Sequence, residues 1–417
     1  MPLSLLDLPN EMALGIADEL PPGDINSLMQ THPQFAYFLA PALMKSACSA
    51  GYCNYGKKAL FRAANRADHS TVKRLISYGL LDHVGRGVLV DALLYVDETG
   101  ICTLLECGVE ANVLNEDNMT PLCAAAITGN TPAVRLLAAR DDININAKSQ
   151  HLIKDTVLHL AAVGGHLDIV QFLLSRPELI RDVRDLLGWS PLHRACRNGR
   201  PEVVQCLLED GGFTVTTPDR RGDSPLHLAA ENGNEEVVIR LLQDPRTVVN
   251  QRGNWGRTPL LTAVISQNLE IIRVLLEDPR TDVNIQSDTG WTPLISAIKT
   301  KDFKLVRMLV TQGRDIDLDV KGIGTASPLH IATMYGQYDT VELLLNHGAN
   351  PNVEDHRGDS PFVLAVNGGH EKIVRLFLSR GCVDLEKLDN SKMSVRLFKE
   401  RYIYGIVRTL DQILGMA

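Results

Sequence analysis

A proline-containing motif that returns at nearly constant spacing restricts the fold of this 417-residue chain more than any other feature. Ser-Pro-Leu-His begins at Ser190, Ser224 and Ser327. Related tetrapeptides begin at five further positions: Thr120, Thr156, Thr258, Thr292 and Ser360. The second residues of the eight tetrapeptides, which we use as markers, are 36, 34, 34, 34, 34, 35 and 33 positions apart. This register predicts an array of similar small units stacked one on the next.

Each unit carries the signals of two short helices. Ser or Thr is a favoured helix N-cap, and proline suits the first helical position. Eight residues after the marker, most copies have a glycine of the kind that ends a helix with positive φ: Gly129, Gly165, Gly199, Gly233, Gly336 and Gly369. Two units have Gln267 and Lys301 there, which leaves their local geometry open. Apolar residues such as Ile169 and Leu173 then recur with helical spacing, and a polar turn such as 219–222 closes the unit.

These residues resemble the ankyrin repeat, in which a β-turn finger is followed by two antiparallel helices. The resemblance covers Thr120 to about Gly381 and implies an all-α solenoid of fingers and helix pairs. It also implies a structural role for the histidines that recur at one helix position, namely hydrogen bonds that hold adjacent turns together: His159, His193, His227 and His330.

Weaker copies extend the array, with markers at Ala59, Val88 and Ser394. Their predicted second helices keep only the apolar face: Val72, Leu75 and Ile76; Ile101, Leu104 and Leu105; and Ile406, Val407 and Leu410. Terminal units of a stack are expected to be atypical because one side faces water. We predict two degenerate repeats in residues 57–119, eight repeats in 120–390 and a capping repeat in 391–417.

The first 45 residues do not follow the repeat. Leu8-Pro9 precedes an amphipathic stretch, Pro21-Pro22 interrupts it, and Asp24 is suited to cap a second helix that is followed by a third helical piece. Three short helices of this size bury too little apolar surface to be securely stable alone. Such a module needs a partner surface.

This segment resembles the F-box, the helical module that docks on the Skp-type adaptor of cullin–RING ubiquitin ligases. Together with Asp24, eight positions carry the resemblance and are therefore the predicted adaptor-binding residues: Leu8, Pro9, Glu11, Ile16, Leu20, Ile25, Leu28 and Phe35. The segment departs from the family pattern at Gly15, inside the first helix, and at Phe35, where tryptophan is common. The resemblance implies an F-box-like module in residues 1–45 and a short connector in 46–56. The alternative is a subdomain that only caps the first repeat.

Composition narrows the function further. The net charge of −8 argues against a nucleic-acid partner. The eight cysteines include no C-x-x-C pair, which favours reduced thiols and argues against a RING-type zinc site. The chain has no P-loop, H-E-x-x-H, G-x-S-x-G or EF-hand motif, so we expect no catalytic, cofactor or metal residues. The acidic N-terminus is unlike a secretory signal, and no apolar run reaches the length of a membrane span. We expect a cytoplasmic or nuclear protein, monomeric outside a complex.

Ankyrin repeats usually bind partners through the finger tips and through the first helix of each pair, which we call the inner helix. Trp255 precedes its turn glycine and is the tryptophan best placed for contact, whereas Trp189 and Trp291 are expected to pack on neighbouring fingers. The residue six positions after the marker varies between units, as it would in a tailored groove or on an unselected surface. The candidate target-binding residues are Arg197, Arg220, Arg221, Glu231, Trp255, Arg257, Lys299, Met334 and Arg357. The interpretation is a substrate-recruiting ligase subunit; the alternative is a scaffold or inhibitor with no ligase link.

Overall fold

The computed structural model describes residues 20–383 except for positions 32, 50, 52, 85–86, 151–152, 313–314 and 323–324. Within those residues every regular element is a helix, which confirms the predicted all-α class. They form two compact units. The first runs to Ala195 and includes 209–213, and the second takes 196–208 and continues from Thr214. No helix in the described part of the chain is long and apolar enough to cross a membrane.

The helices follow one another in pairs. In the first unit they are α1 (Pro22–Thr31), α2 (Pro33–Ala47), α3 (Cys53–Asn65), α4 (His69–Ser77), α5 (Leu80–Val84), α6 (Val88–Tyr95), α7 (Glu98–Glu106), α8 (Pro121–Thr128), α9 (Thr131–Ala138), α10 (Val157–Gly164) and α11 (Leu167–Leu174). The unit boundary falls in α12 (Pro191–Arg197) and α13 (Pro201–Asp210). In the second unit they are α14 (Pro225–Asn232), α15 (Glu235–Gln243), α16 (Pro259–Ile265), α17 (Leu269–Glu277), α18 (Pro293–Thr300), α19 (Phe303–Gln312), α20 (Pro328–Met334), α21 (Tyr338–Asn346), α22 (Pro361–Asn367) and α23 (Glu371–Ser379).

In each of the eight repeats that carry the motif, the first helix begins at the marker residue, as the motif predicts. Thr120 Oγ1 accepts a hydrogen bond from the Cys123 amide at 3.2 Å, and Thr292 Oγ1 accepts one from Ile295 at 3.2 Å. These bonds satisfy backbone donors that the helix itself leaves unpaired. The second helix buries its apolar stripe, as Leu173 does in α11. Neither helix has a core alone, so the stack supplies the stability.

The two repeats that lack the inter-helix glycine keep the backbone geometry of the repeats that have it. Gln267 has φ 59° and Lys301 has φ 61°, both in the left-handed region. Ala67, at the corresponding position of the first degenerate repeat, has φ 54°. A residue with a Cβ costs about 1–2 kcal/mol in this region. Packing against the adjacent repeats therefore imposes the turn even where the sequence does not favour it.

The degenerate repeats carry the predicted apolar faces. Val72 and Leu75 are buried on α4, and Ile101 and Leu104 are buried on α7. Helix α5 was not predicted. The capping repeat predicted for residues 391–417 lies outside the described residues.

The described part of the N-terminal module is a helix pair. Ile25 on α1 and Leu39 and Ala42 on α2 form its small buried core, with Leu20 partly buried at its edge. The prediction that Asp24 caps the helix is wrong, because the helix begins at Pro22 and Asp24 lies in its first turn. The amide of Asp24 instead donates to the Pro21 carbonyl at 3.0 Å.

The end of this pair packs directly on the first repeat. The Cys48 thiol donates to the Leu75 carbonyl at 3.7 Å. A Cβ at Gly56 would lie 2.6 Å from the Ala47 carbonyl oxygen, so glycine allows this close approach of α2 and α3. Helix α2 is thus joined to the array by packing as well as by the chain.

Candidate protein-binding surface

Each finger is closed by a backbone hydrogen bond. The Asp355 amide donates to the Asp359 carbonyl at 3.0 Å, and the Ser287 amide donates to the Trp291 carbonyl at 2.9 Å. Gly290 and Gly358 provide the positive φ that these tight turns require. The resulting fingers present the residues next to the turn at fixed positions.

Three of the recurring histidines connect their own inner helix to the following finger. The Ser327 amide donates to His330 Nδ1 at 3.2 Å, so Nε2 carries the proton and donates to the Asp359 carbonyl at 3.0 Å. His159 and His227 make the corresponding bonds to the carbonyls of Trp189 and Arg257. The predicted structural role is confirmed for these three histidines.

Burial keeps these imidazoles neutral. Desolvation lowers the pKa of His159 to about 4 and also lowers the pKa values of His227 and His330. A neutral imidazole is the form that accepts at Nδ1 and donates at Nε2, so the hydrogen bonds and the pKa shifts agree.

A second set of bonds between repeats was not predicted. In six of the eight repeats, an Asn, Gln or His nine positions after the marker is the N-cap of the second helix, and its side chain hydrogen-bonds to a carbonyl of the preceding inner helix. Gln337 Nε2 reaches the Ile298 carbonyl at 2.7 Å, and Asn268 Nδ2 reaches the Ala230 carbonyl at 2.8 Å. The sequence signal for these bonds was the Asn, Gln or His that recurs nine positions after the marker.

The structure brings three of the nine candidate target-binding residues together. Lys299, Met334 and Arg357 line one pocket of about 330 Å³ in the second unit. We call it the inner pocket; its lining residues are Trp291, Ile295, Lys299, Ala326, His330, Ile331, Met334, Tyr335, Asp355, His356, Arg357 and Leu364. They come from three consecutive fingers and from the inner helices α18, α20 and α22.

The remaining candidates lie elsewhere on the surface. Four of them are exposed but do not line this pocket: Arg197, Arg220, Arg221 and Glu231. Arg257 is half-buried, and its carbonyl accepts from His227 at 2.9 Å.

The three tryptophans have different surroundings. Trp189 is only 8% exposed and lies under the Arg194 guanidinium, whose carbon is 4.7 Å from the ring centroid. Trp291 is half-buried, and Lys299 Nζ lies 3.6 Å from its ring centroid. Trp255 is 61% exposed at a finger tip. Its carbonyl accepts from the Asp288 amide of the next finger at 2.9 Å, which fixes the backbone beneath the exposed ring.

A buried cluster in the first unit has the composition of a metal site. Asp155, His159 and Asp185 each place a donor atom within 4.8 Å of the others. Arg194 already supplies the cation, with Nη2 2.9 Å from Asp155 and 2.7 Å from Asp185. Both His159 nitrogens are also engaged, by Thr156 and by the Trp189 carbonyl. The cluster is therefore an arginine-centred ion cluster that braces the finger.

Comparison with known proteins agrees with this geometry. A family model described as ankyrin repeats in three copies matches residues 89–183, 177–252, 243–322 and 320–389, which together exceed half of the chain. The chain belongs to the ankyrin-repeat family.

Individual relatives match parts of this chain. Alpha-latrotoxin-Lt1a of Latrodectus tredecimguttatus is 38% identical over 90 residues, which are 22% of this chain and 6% of the toxin. Rabankyrin-5 of Mus musculus is 34% identical over 68 residues, which are 16% of this chain and 6% of that protein. The crystal structure of the ankyrin repeat domain of Bcl-3, a unique member of the IkappaB protein family, has a TM-score of 0.50 at 28% identity. It covers 53% of this chain and 98% of that domain. This chain therefore spans only 6% of the length of each of the first two relatives.

A second surface of the ankyrin-repeat protein was missed by the sequence reasoning. A pocket of about 440 Å³ on α3 and α6 is lined by Asn54, Lys57, Lys58, Phe61, Arg62, Asn65 and Tyr95. The rings of Phe61 and Tyr95 stack at 6.1 Å, and Tyr95 is 68% exposed. Lys57 pairs with Asp91. The basic residues Lys58 and Arg62, one helical turn apart beside an aromatic residue, were the signal available in the sequence.

The predicted adaptor-binding residues are only partly described. Leu8, Pro9, Glu11 and Ile16 lie outside the described residues, as do the side chains of Leu28 and Phe35. Leu20 is partly buried and Ile25 is fully buried against α2, so Ile25 contributes to the core of the helix pair.

Proposed function

We propose that this ankyrin-repeat protein is the substrate-recruiting subunit of a cullin–RING ubiquitin ligase. Ankyrin repeats imply protein–protein interaction, and proteins of this family are typically non-enzymatic scaffolds. In the proposal, the F-box-like residues bind a Skp-type adaptor and the array binds the protein to be ubiquitinated. The protein acts in the cytoplasm or nucleus, where these ligases are found.

One observation carries the proposal: α2, which lies at the end of the segment that resembles an F-box in sequence, packs against the first repeat of the ankyrin array. Helix α2 ends against the first repeat through the contact of Cys48 with Leu75. The inner pocket lies in the second unit, among residues 291–364.

Co-purification with a Skp-type adaptor tests the proposal. The wild-type chain should form a complex that survives size-exclusion chromatography, and a Pro9→Ala/Ile16→Asp variant should lose it. A Pro201→Ala/Ile180→Asp variant makes the same chemical changes within the array and should retain the complex. Ile180 is exposed, so this control should fold. Absence of adaptor binding by a folded wild-type chain would refute the ligase role.

The packing of α2 on the first repeat also supports a second candidate function. In this alternative, the protein is an ankyrin scaffold or inhibitor whose N-terminal helices only cap the stack. The close approach of Ala47 to Gly56 is the kind of contact that a cap makes. For that function, the Pro9→Ala/Ile16→Asp variant should lower the midpoint of thermal unfolding of the first repeats, and neither chain should bind the adaptor.

A further inference from the structure

We infer that the inner pocket binds a protein segment in which one apolar side chain is flanked by carboxylates. This inference rests on the proposed protein-binding function and specifies the chemistry of the target. The volume, about 330 Å³, is at the lower end of the range for ligand sites and fits one or two side chains.

The floor of the pocket is apolar and adaptable. Ile331 and Leu364 are half-buried, and Met334 is 53% exposed on the wall. Methionine packs against apolar groups of different shapes because its side chain is flexible and polarisable. An aliphatic or aromatic side chain of a partner would remove this surface from water.

The rim is positively charged. The Lys299 ammonium lies over the Trp291 ring at 3.6 Å, and the ring contacts only one side of it. An ammonium has three N–H donors, so this geometry positions the cation while leaving donors for an incoming carboxylate. Arg357 adds a second cation to the lining, and Lys301 Nζ lies 5.5 Å from the centroid of the lining residue Tyr335.

The lining keeps a net positive charge, because its two cations, Lys299 and Arg357, outnumber its one carboxylate. The Asp355 carboxylate is the acidic group in the lining, and it accepts the backbone amides of Arg357 at 2.8 Å and Asp359 at 3.0 Å. His330 uses both ring nitrogens within the array. The chain as a whole has a net charge of −8, so a cationic pocket is a local feature that complements an acidic partner.

Peptide selection tests the inference without knowledge of the natural target. The full chain is used to select from a displayed library of random peptides about twelve residues long, and the enriched peptides are titrated by fluorescence anisotropy. The selected sequences should place Leu, Ile, Met or Phe between aspartates or glutamates. Raising the salt concentration from about 0.05 to about 0.5 M should weaken their binding.

Two matched charge-reversal variants locate the site. Lys299→Glu/Arg357→Glu should weaken binding at least about tenfold, because opposite charges on the rim become like charges. Lys304→Glu/Arg307→Glu makes the same change in net charge at exposed positions of α19 and should weaken it less than about twofold. Met334→Ser should weaken binding while leaving its salt dependence unchanged.

Four outcomes would overturn the inference. They are enrichment of peptides without acidic residues, equal effects of the two double variants, no enrichment, and saturation of the pocket by single-stranded DNA or by a second copy of this chain. In the proposed function the adaptor binds the F-box-like residues and not the inner pocket. Retained adaptor binding alongside any of these outcomes would therefore reject this inference and leave the proposed ligase role standing.

Discussion

The buried histidines make the stability of the array depend on pH, and His159 allows the effect to be calculated. Burial lowers the pKa of His159 to about 4 from its ordinary value of 6.5. Between these values the unfolded chain binds the proton and the folded chain does not, so folding stability falls as pH falls. Above pH 6.5 the histidine contributes no pH dependence, and below about pH 4 the loss is complete.

The expected size of this loss follows from the two pKa values. From about pH 7.5 to about pH 5, the free energy of opening around α10 should decrease by about 2 kcal/mol through His159 alone. In the His159→Gln variant, the opening free energy should be lower at both pH values, and its decrease with pH should be smaller by about this amount. His227 and His330 also lower the folding stability as pH falls, and both are present in the wild type and in the His159→Gln variant.

Hydrogen exchange on peptides that span α10 measures this opening, after correction for the intrinsic pH dependence of exchange. His347→Gln removes an exposed histidine and is the matched control. An equal decrease with pH in wild type and His159→Gln would refute the conclusion that the folded array holds this imidazole neutral.

Three further substitutions test how the repeats are held. Lys301→Gly should raise the midpoint of thermal unfolding, since a Cβ at φ 61° costs about 1 kcal/mol. The control Arg307→Gly, inside α19, should lower the midpoint. A lower midpoint for Lys301→Gly would contradict the conclusion that Lys301 is strained. Arg194→Met should reduce the free energy of urea unfolding by about 3–5 kcal/mol, because it leaves two buried aspartates without their cation. A change below about 1 kcal/mol would contradict a stabilising role for the ion cluster. Asn250→Ala removes hydrogen bonds of 2.7 and 2.9 Å to the next repeat, so the free energy of local opening there should fall by about 1–2 kcal/mol. Hydrogen exchange measures this opening, and unchanged exchange would argue that these bonds do not hold the repeats together.

The fold was predictable because its signals are local and repeated. A Ser or Thr cap, a proline at the first helical position and a terminating glycine each act within one helix, as the caps of Thr120 and Thr292 show. Eight copies in register removed the ambiguity of any one. The left-handed turns at Gln267 and Lys301 were not predictable in this way, because neighbouring repeats impose them.

The binding surface was predictable only in part, for a geometric reason. Variation at the sixth position after the marker selected Lys299 and Met334, which line the inner pocket. The same variation selected Glu231, which does not line it. A one-dimensional period identifies which residues occupy equivalent positions. It does not show which of them converge with residues such as Tyr335, because that depends on how three successive repeats stack.

A two-ligand titration on one preparation tests the central claim that the protein joins an adaptor to a target. The full chain is titrated with a Skp-type adaptor, with a peptide selected on the inner pocket, and with both together. The account predicts that each binds with the same affinity whether or not the other is present. Pro9→Ala/Ile16→Asp should lose only the adaptor, and Lys299→Glu/Arg357→Glu should lose only the peptide. Competition between the two ligands, or loss of both in either folded variant, would contradict the proposal that separate surfaces of one chain join them.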